Sequence, residues 1–261
     1  MTPLPFFQVD AFAESPFTGN PAAVMPLNEW LPDEVMQAIA AENNLSETAF
    51  TVPSERDDAD YDLRWFTPTT EVPLCGHATF AAAHILIHGD AIRFSTQSGI
   101  LSVTRDEDML RMSLPAFTVK PGNFPGLLEA LGVERAEIAL GEGAEPAVIV
   151  LLADEAAVRA VQPDFRALAA LNLFLGIVTA PGDEQTIASR VFCPSVGIDE
   201  DPVTGAAHAA LVPFWADRLG RTHFTALQAS KRSGILDCEL RGDRVILGGH
   251  CVTVIEGHFQ I

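Results

Sequence analysis

The stretch Cys75, Gly76 and His77 puts a thiol, a residue without a side chain and an imidazole in a row. It opens an alanine-rich run, residues 78–88, in which Phe80, Ile85, Leu86 and Ile87 point to all sides. That pattern predicts a helix buried all round rather than an amphipathic one, with Gly89 as its C′ residue. Backbone N–H groups at a helix start lack intrahelical partners, and Gly76 would let an anion approach them closely. A second run, Gly205–Leu219, is preceded by Asp199-Glu-Asp-Pro-Val-Thr204. Asp next to Pro ordinarily makes a turn or cap. Its place at the start of a matching helix makes Asp201 a candidate for more than that. Pro213, inside this run, predicts a kink or early break. A third candidate is Glu47, in Asn44-Leu-Ser-Glu-Thr-Ala-Phe50, which links a helical run to a strand. A lone glutamate there is normally a solvated loop residue.

The elements that must position these groups repeat along the chain. Arg64-Trp-Phe-Thr-Pro68 answers Arg190-Val-Phe-Cys-Pro194, and Gly76-His-Ala-Thr-Phe-Ala-Ala82 answers Gly205-Ala-Ala-His-Ala-Ala-Leu211. Ser98-Gly-Ile-Leu101 recurs letter for letter at Ser233-Gly-Ile-Leu236. Pro32-Asp33 and Pro163-Asp164 each open a helical run, and the strand-like runs 48–52 and 174–180 each end at a proline. All these pairs fall in the same order, roughly 130 residues apart, which predicts two homologous halves. Each half reads as short strands, a helix, more strands, a buried helix and a strand meander. The first has strands at 6–12, 48–52, 61–66, 92–95, 100–105 and 109–114. The second has strands at 147–152, 174–180, 187–192, 224–228, 235–240, 244–247 and 252–255. The proline-rich seam falls at 115–125. The expected class is α+β, with two pseudo-symmetric barrel-like domains each wrapped around a central helix. The domains are placed at 1–115 and 116–254. Glu47 breaks this symmetry, because its counterpart in the second half is Leu175. If the halves are related by a pseudo-two-fold, the two helix starts could face one another across a cleft, where small ligands usually bind.

Composition narrows the function. The chain has 261 residues, 48% of them hydrophobic, enough for a full core. With 35 acidic against 16 basic residues, its formal charge is −19. That argues against nucleic acid and against an anionic membrane, both of which call for Lys/Arg clusters. The cysteines Cys75, Cys193, Cys238 and Cys251 show no C-x-x-C spacing and read as reduced thiols. No apolar run approaches the ~20 residues of a membrane helix, and the N-terminus lacks the features of a signal peptide. We therefore expect a cytoplasmic protein. Neither a dinucleotide fingerprint nor a P-loop is present, so no cofactor is expected. His77, His84 and His88 share a helical face, but H-E-x-x-H is absent, and no metal is expected.

Several segments, in this order, resemble the phenazine-biosynthesis PhzF-like isomerases. They are Phe7-Gln-Val-Asp-Ala-Phe12, Phe17-Thr-Gly-Asn-Pro21, Asn44-Leu-Ser-Glu-Thr-Ala-Phe50, Cys75-Gly-His-Ala-Thr79 and Glu200-Asp-Pro-Val-Thr-Gly-Ala-Ala-His208. The resemblance implies the diaminopimelate-epimerase fold, with residues 255–261 returning to complete the first domain. It implies Glu47 as the general acid/base, with His77 and Asp201 as its helpers in the pocket. Gly76 and Gly205 match positions whose backbone N–H groups hold a substrate carboxylate. The expected substrate contacts are thus Cys75, Gly76, Thr204, Gly205 and Ala206. Many members carry Ser where this chain has Ala206, so substrate identity does not carry over. A carboxyl enclosed away from water can take a proton from one carbon and return it to another. The expected partner is a small anionic carboxylic acid, and the protein is expected to form a homodimer.

Two other readings stand beside this one. Cys75-Gly76-His77 also resembles the proline-racemase and amino-acid-epimerase branch of the fold, where a cysteine sits at each helix start. Here the second position is Thr204, so only a one-thiol epimerase or dehydratase would remain. Alternatively, the chain could be a small-molecule binder without catalysis, which would exchange no proton at any substrate carbon.

Overall fold

The computed structural model describes residues 3–261. The chain opens with β1 (Pro3–Ala11), β2 (Asn20–Pro26), α1 (Asp33–Asn43), β3 (Glu47–Pro53), β4 (Tyr61–Phe66), β5 (Glu71–Val72) and α2 (Gly76–Leu86). It continues through β6 (Ala91–Thr96), β7 (Gly99–Asp106), β8 (Met109–Pro115), β9 (Thr118–Pro121), α3 (Leu127–Leu131), β10 (Glu137–Glu142) and β11 (Ala147–Leu151). After α4 (Glu155–Ala160) and α5 (Phe165–Ala170) come β12 (Leu175–Pro181), β13 (Ile187–Cys193), β14 (Ile198–Asp201) and α6 (Gly205–Leu219). The last strands are β15 (His223–Gln228), β16 (Gly234–Arg241), β17 (Arg244–Gly249) and β18 (Cys251–Gln260). These elements form two compact units, one of Met1–Ser113 with Gly248–Ile261 and one of Leu114–Leu247.

In the first unit β1 pairs antiparallel with both β18 and β2. Then β2–β3 is parallel, β3–β4 antiparallel, β4–β6 parallel and β6–β7 antiparallel. In the second unit β10 pairs antiparallel with both β9 and β11. There β11–β12 is parallel, β12–β13 antiparallel, β13–β15 parallel and β15–β16 antiparallel. The same order of pairings thus occurs twice, as the repeated motifs predict. It makes β18 the counterpart of β9. The α+β class and the two like units are therefore features of the molecule.

Each unit is built around one apolar helix. Helix α2 buries Ala78, Thr79, Phe80, Ala81, Ala82 and Ala83, and packs on β1, β2, β3 and β18. Alanine favours the helix and keeps its surface thin enough for strands on several sides. Phe80 carries most of the apolar bulk and stacks on Phe12, with ring centroids 4.5 Å apart. Helix α6 is likewise buried over Ala207, His208, Ala209, Ala210, Leu211 and Val212, and packs on β9, β11 and β16. A further cluster in the first unit sets Met36 and Ile39 of α1 on Met25, Phe50 and Phe66. In the second unit Leu127, Leu131, Val158 and Leu168 cover Val148, Val150, Val178 and Phe192.

An ion-pair buckle is duplicated with the fold. Arg64 on β4 grips Glu71 of β5 through Nε and Nη2 at 2.7 and 2.8 Å. Arg190 on β13 grips Glu200 of β14 in the same way, at 2.7 and 2.9 Å. Each guanidinium also lies over the ring of a phenylalanine on its own strand, 5.1 Å from the Phe66 centroid and 5.0 Å from that of Phe192. Bidentate pairs hold both planes in register, so the short strands leading into α2 and α6 are clamped alike. Glu200, which reads in sequence as part of an acidic cluster, is the clamp.

At α2, α6 and β18 the structure corrects a specific expectation. Helix α2 ends at Leu86, two residues early, and Ile87 is extended with φ −74° and ψ 119°. The Ile87 N–H still reaches Ala83 O, and its carbonyl accepts from Arg105 Nη2 at 3.2 Å, so no left-handed glycine is required. Gly89 is not a C′ residue; it lies outside the left-handed region. Helix α6 runs unbroken through Pro213. The carbonyl that Pro213 leaves without a donor, Ala209 O, accepts the Phe117 N–H at 3.0 Å, which offsets the lost helical bond. Finally, the strand predicted at 252–255 in the second half is β18 of the first unit, and the return begins at Cys251 rather than Ile255. Its register with β1 runs from Ala11↔Cys251 to Pro3↔Gln260.

Candidate active site

Glu47 is the first residue of β3, and the turn before it is tightly specified. Asn44 closes α1 in the left-handed region (φ 49°, ψ 35°), with its N–H on Ala40 O. Asparagine tolerates that conformation better than most residues. Asn43 Nδ2 then donates to Thr48 Oγ1 at 3.0 Å, tying the helix end to the strand on the far side of Glu47. Glu47 opens the parallel β2–β3 ladder opposite Ala22. Leu175 opens the matching β11–β12 ladder opposite Ala147. The asymmetry read from sequence is therefore an asymmetry at equivalent ladder positions, with a carboxyl on one side and an isobutyl group on the other.

Cys75 is the N-cap of α2, extended at φ −147° and ψ 114°. Its carbonyl is held by Thr79, whose N–H and Oγ1 donate to it at 3.2 and 2.5 Å. This fixes the direction in which His77, the second helical residue, leaves the turn. His77 Nε2 lies 3.1 Å from Glu47 Oε2, and His77 Nδ1 lies 3.5 Å from Cys75 Sγ. The Nε2–Oε2 distance suits a hydrogen bond, yet the alignment is poor, so both atoms are buried without a well-directed partner. Their side chains are 8% and 12% exposed. Buried polar atoms of this kind call for an explanation, and a ligand group that completes the bonding is one.

The electrostatics follow from burial. Burial alone would push the His77 imidazolium down, but the Cys75 sulfur and the Glu47 carboxylate reverse this and hold it well above the ordinary histidine range. A charge on sulfur adds to that only in the thiolate, and burial followed by the Glu47 charge pushes the Cys75 thiol up to about 11. At neutral pH the thiol is therefore neutral, so the charge acting on His77 is that of Glu47 and the sulfur contributes through its contact with Nδ1. Glu47, Cys75 and His77 are also the one cluster among the described residues with metal-ligand chemistry, their donor atoms lying within 4.8 Å of one another. However, the imidazole sits between the other two and turns a different nitrogen to each. The three form a chain rather than a cage converging on one point.

The second unit gathers the other expected residues around the start of α6. Thr204 is the N-cap; its hydroxyl donates to Asp201 Oδ2, and its N–H donates to Gln228 Oε1 at 2.9 Å. Gln228 Nε2 donates to Asp201 O at 2.7 Å, and Ser230 Oγ to Pro202 O at 2.9 Å. His208 Nδ1 meets Thr204 O at 2.8 Å. Gly205 and Ala206 are the first two helical residues. A Cβ on Gly205 would meet only Leu114 and Leu247, at 3.7 and 3.8 Å, so packing alone does not demand a glycine there. The structure thus brings Glu47, Cys75 and His77 together, and brings Asp201, Thr204, Gly205 and Ala206 together. Sequence reasoning missed Gln228 and Ser230. The signal for Gln228 was the alternation of β15, where Phe224 and Ala226 point inward and Gln228 is the next inward position. Two surface hollows, one lined by Lys120, Glu137 and Pro213 and the other by Asp33, Gln37 and Phe66, contain none of these residues.

Comparison with known proteins finds relatives over nearly the whole chain. A family model described as phenazine biosynthesis-like protein matches residues 9–257. A Pseudomonas aeruginosa protein, named as an uncharacterized isomerase, is 50% identical over 264 residues, covering 99% of each chain. The crystal structure of an Enterococcus faecalis phenazine biosynthesis protein of the PhzF family superposes with a TM-score of 0.91 at 44% identity, covering 100% of both chains. A probable proline racemase from Agrobacterium radiobacter shares the fold alone, with a TM-score of 0.65 at 12% identity, covering 99% of this chain and 92% of that one. The chain belongs to the phenazine biosynthesis-like, or PhzF, family of isomerases.

Proposed function

We propose that this isomerase moves a proton between carbons of a small carboxylic acid, without a cofactor, and that Glu47 is the group that carries it. The observation behind this reading is the buried contact of Glu47 with His77, at 3.1 Å and poorly aligned. A carboxylate there can accept a proton, and the adjacent Nε2–H can follow its change of charge. A thiol mechanism is the weaker reading, because a thiol held at about 11 supplies almost no thiolate at neutral pH. Asp201, in the other unit, is proposed as a helper through the hydroxyl of Thr204 and the start of α6. Backbone N–H groups of Gly76, and separately of Gly205, are suited to a carboxylate of the substrate.

The test is solvent-deuterium incorporation, followed by proton NMR, with a panel of small unsaturated and carbonyl-activated carboxylic acids. Wild-type protein is expected to wash deuterium into at least one of them, and Asp201→Asn to do so more slowly. A protein that binds members of the panel but exchanges no carbon-bound proton is a binding protein, and the proposal fails.

A further inference from the structure

Resting on the reading of Glu47 and His77 as the working pair, the geometry points to Cys75 as a positioning residue: its sulfur holds the Nδ1 edge of His77 so that a proton on Nε2 faces Glu47 whichever charge state the imidazole adopts. The sulfur lies 3.5 Å from Nδ1, within range of a sulfur hydrogen bond, and Nε2 lies on the opposite edge, 3.1 Å from the carboxylate. A thiol is both a weak donor and a weak acceptor. When His77 is an imidazolium, its Nδ1–H donates to the sulfur. When it loses a proton, the S–H can turn and donate to Nδ1, leaving the remaining proton on Nε2. Rotation about the Cβ–S bond is all that is required, and no covalent bond to sulfur forms.

Three features favour this over packing alone. Alanine would fill an N-cap without presenting any partner to Nδ1. The thiol stays neutral at working pH, as a reversible donor and acceptor must. And His77 sits in the first turn of α2, where the positive end of the helix opposes an imidazolium, so the charged form depends on what its two edges meet. Among the described residues, the titratable groups acting on His77 are Glu47, from β3, and Cys75, from the turn before α2. The acid of β1, Asp10, acts on Cys251.

The experiment is a pH titration of His77 by long-range proton–nitrogen NMR on intact protein labelled with 15N-histidine, in wild type, Cys75→Ala and Cys75→Ser. Alanine removes the sulfur from both charge states; because the bond from the charged ring is the stronger, the His77 midpoint should fall, by up to about one pKa unit. Serine supplies a donor and acceptor at the same place and should restore the midpoint to wild type or above. If Cys75→Ala fails to fold, the serine comparison stands alone, and a midpoint below wild type in Cys75→Ser refutes the proposal. Equal midpoints in wild type and Cys75→Ala also refute it. Because the readout needs no turnover, it can fail while Glu47 remains the acid/base, and it can succeed if Glu47 does not.

Discussion

Acidification should destabilise this protein through His208, and the size of the effect can be worked from the structure. His208 is fully buried on α6. Its Nδ1 meets a carbonyl, Thr204 O, at 2.8 Å, and a carbonyl only accepts, so Nδ1 carries the proton. Nε2 is then a lone pair, buried and without a partner. Protonating it would place a charge where nothing pairs with it. Burial accordingly lowers the His208 pKa from 6.5 to about 4, against a smaller opposing effect of the Thr204 carbonyl. The folded value lies below the unfolded one, so the unfolded chain takes up the proton first. The neutral histidine's contribution is fully present above about 6.5 and is lost as the pH falls from there toward about 4. Between pH 7 and pH 5 the loss comes to about 2 kcal/mol, an order-of-magnitude figure from linkage. Urea unfolding across that range in wild type and His208→Asn would measure it. Asparagine keeps a donor for Thr204 O but does not titrate, so its stability should fall by about 2 kcal/mol less over the same interval. Parallel pH profiles for the two proteins would refute the reasoning.

Three further substitutions test the scaffold. Gly19→Ala, at φ 67°, would put a Cβ 2.2 Å from Ala11 O and 2.9 Å from Ala13 Cβ; we expect a loss of at least about 2 kcal/mol by urea unfolding. Glu200→Ala would remove the carboxylate from Arg190, whose side chain is only 13% exposed, leaving it the Val161 carbonyl at 2.8 Å, and should cost about 2–3 kcal/mol. Asp58→Ala, at the exposed Arg56–Asp58 pair, should cost nothing measurable in the same assay.

The parts of the fold legible in sequence are those where local chemistry and tertiary context agree. Tyr61–Phe66 alternates and ends in a turn, and it is a strand with those bounds. Gly205–Leu219 is a helix with those bounds, although Pro213 argued against its second half. What rescues it is the Phe117 N–H, a partner distant in sequence that no local rule reveals. Strand β2 was missed because Asn20–Pro26 is flanked by prolines and carries alanines, yet it is central to the first unit and buried along most of its length. Helices α3 and α4 were missed because five or six residues hold too little periodicity to read. Strand β18 was assigned to the wrong unit because its burial is irregular and nothing local says where a strand pairs. Within the candidate site, Glu47 stood out in sequence because the repeat gave it a control, Leu175, and the two open equivalent ladders. The role of Glu200 was not legible, because the arginine it grips lies ten residues back, on another strand. Gln228 was invisible because its partners belong to another strand and a helix cap.

The central claim is that Glu47 carries the proton, and the most direct measurement is the deuterium-exchange rate of Glu47→Gln on any acid the wild type exchanges. Glutamine keeps the shape of the side chain and removes the titratable oxygen. A positioned acid/base contributes roughly 10²–10⁴-fold, so the variant should exchange slower by about that factor while its circular dichroism and its affinity for the same acid stay near wild type, and Cys75→Ser should lose far less. Exchange at the wild-type rate in Glu47→Gln, with activity lost in Cys75→Ser, would contradict the account and assign the proton to the thiol.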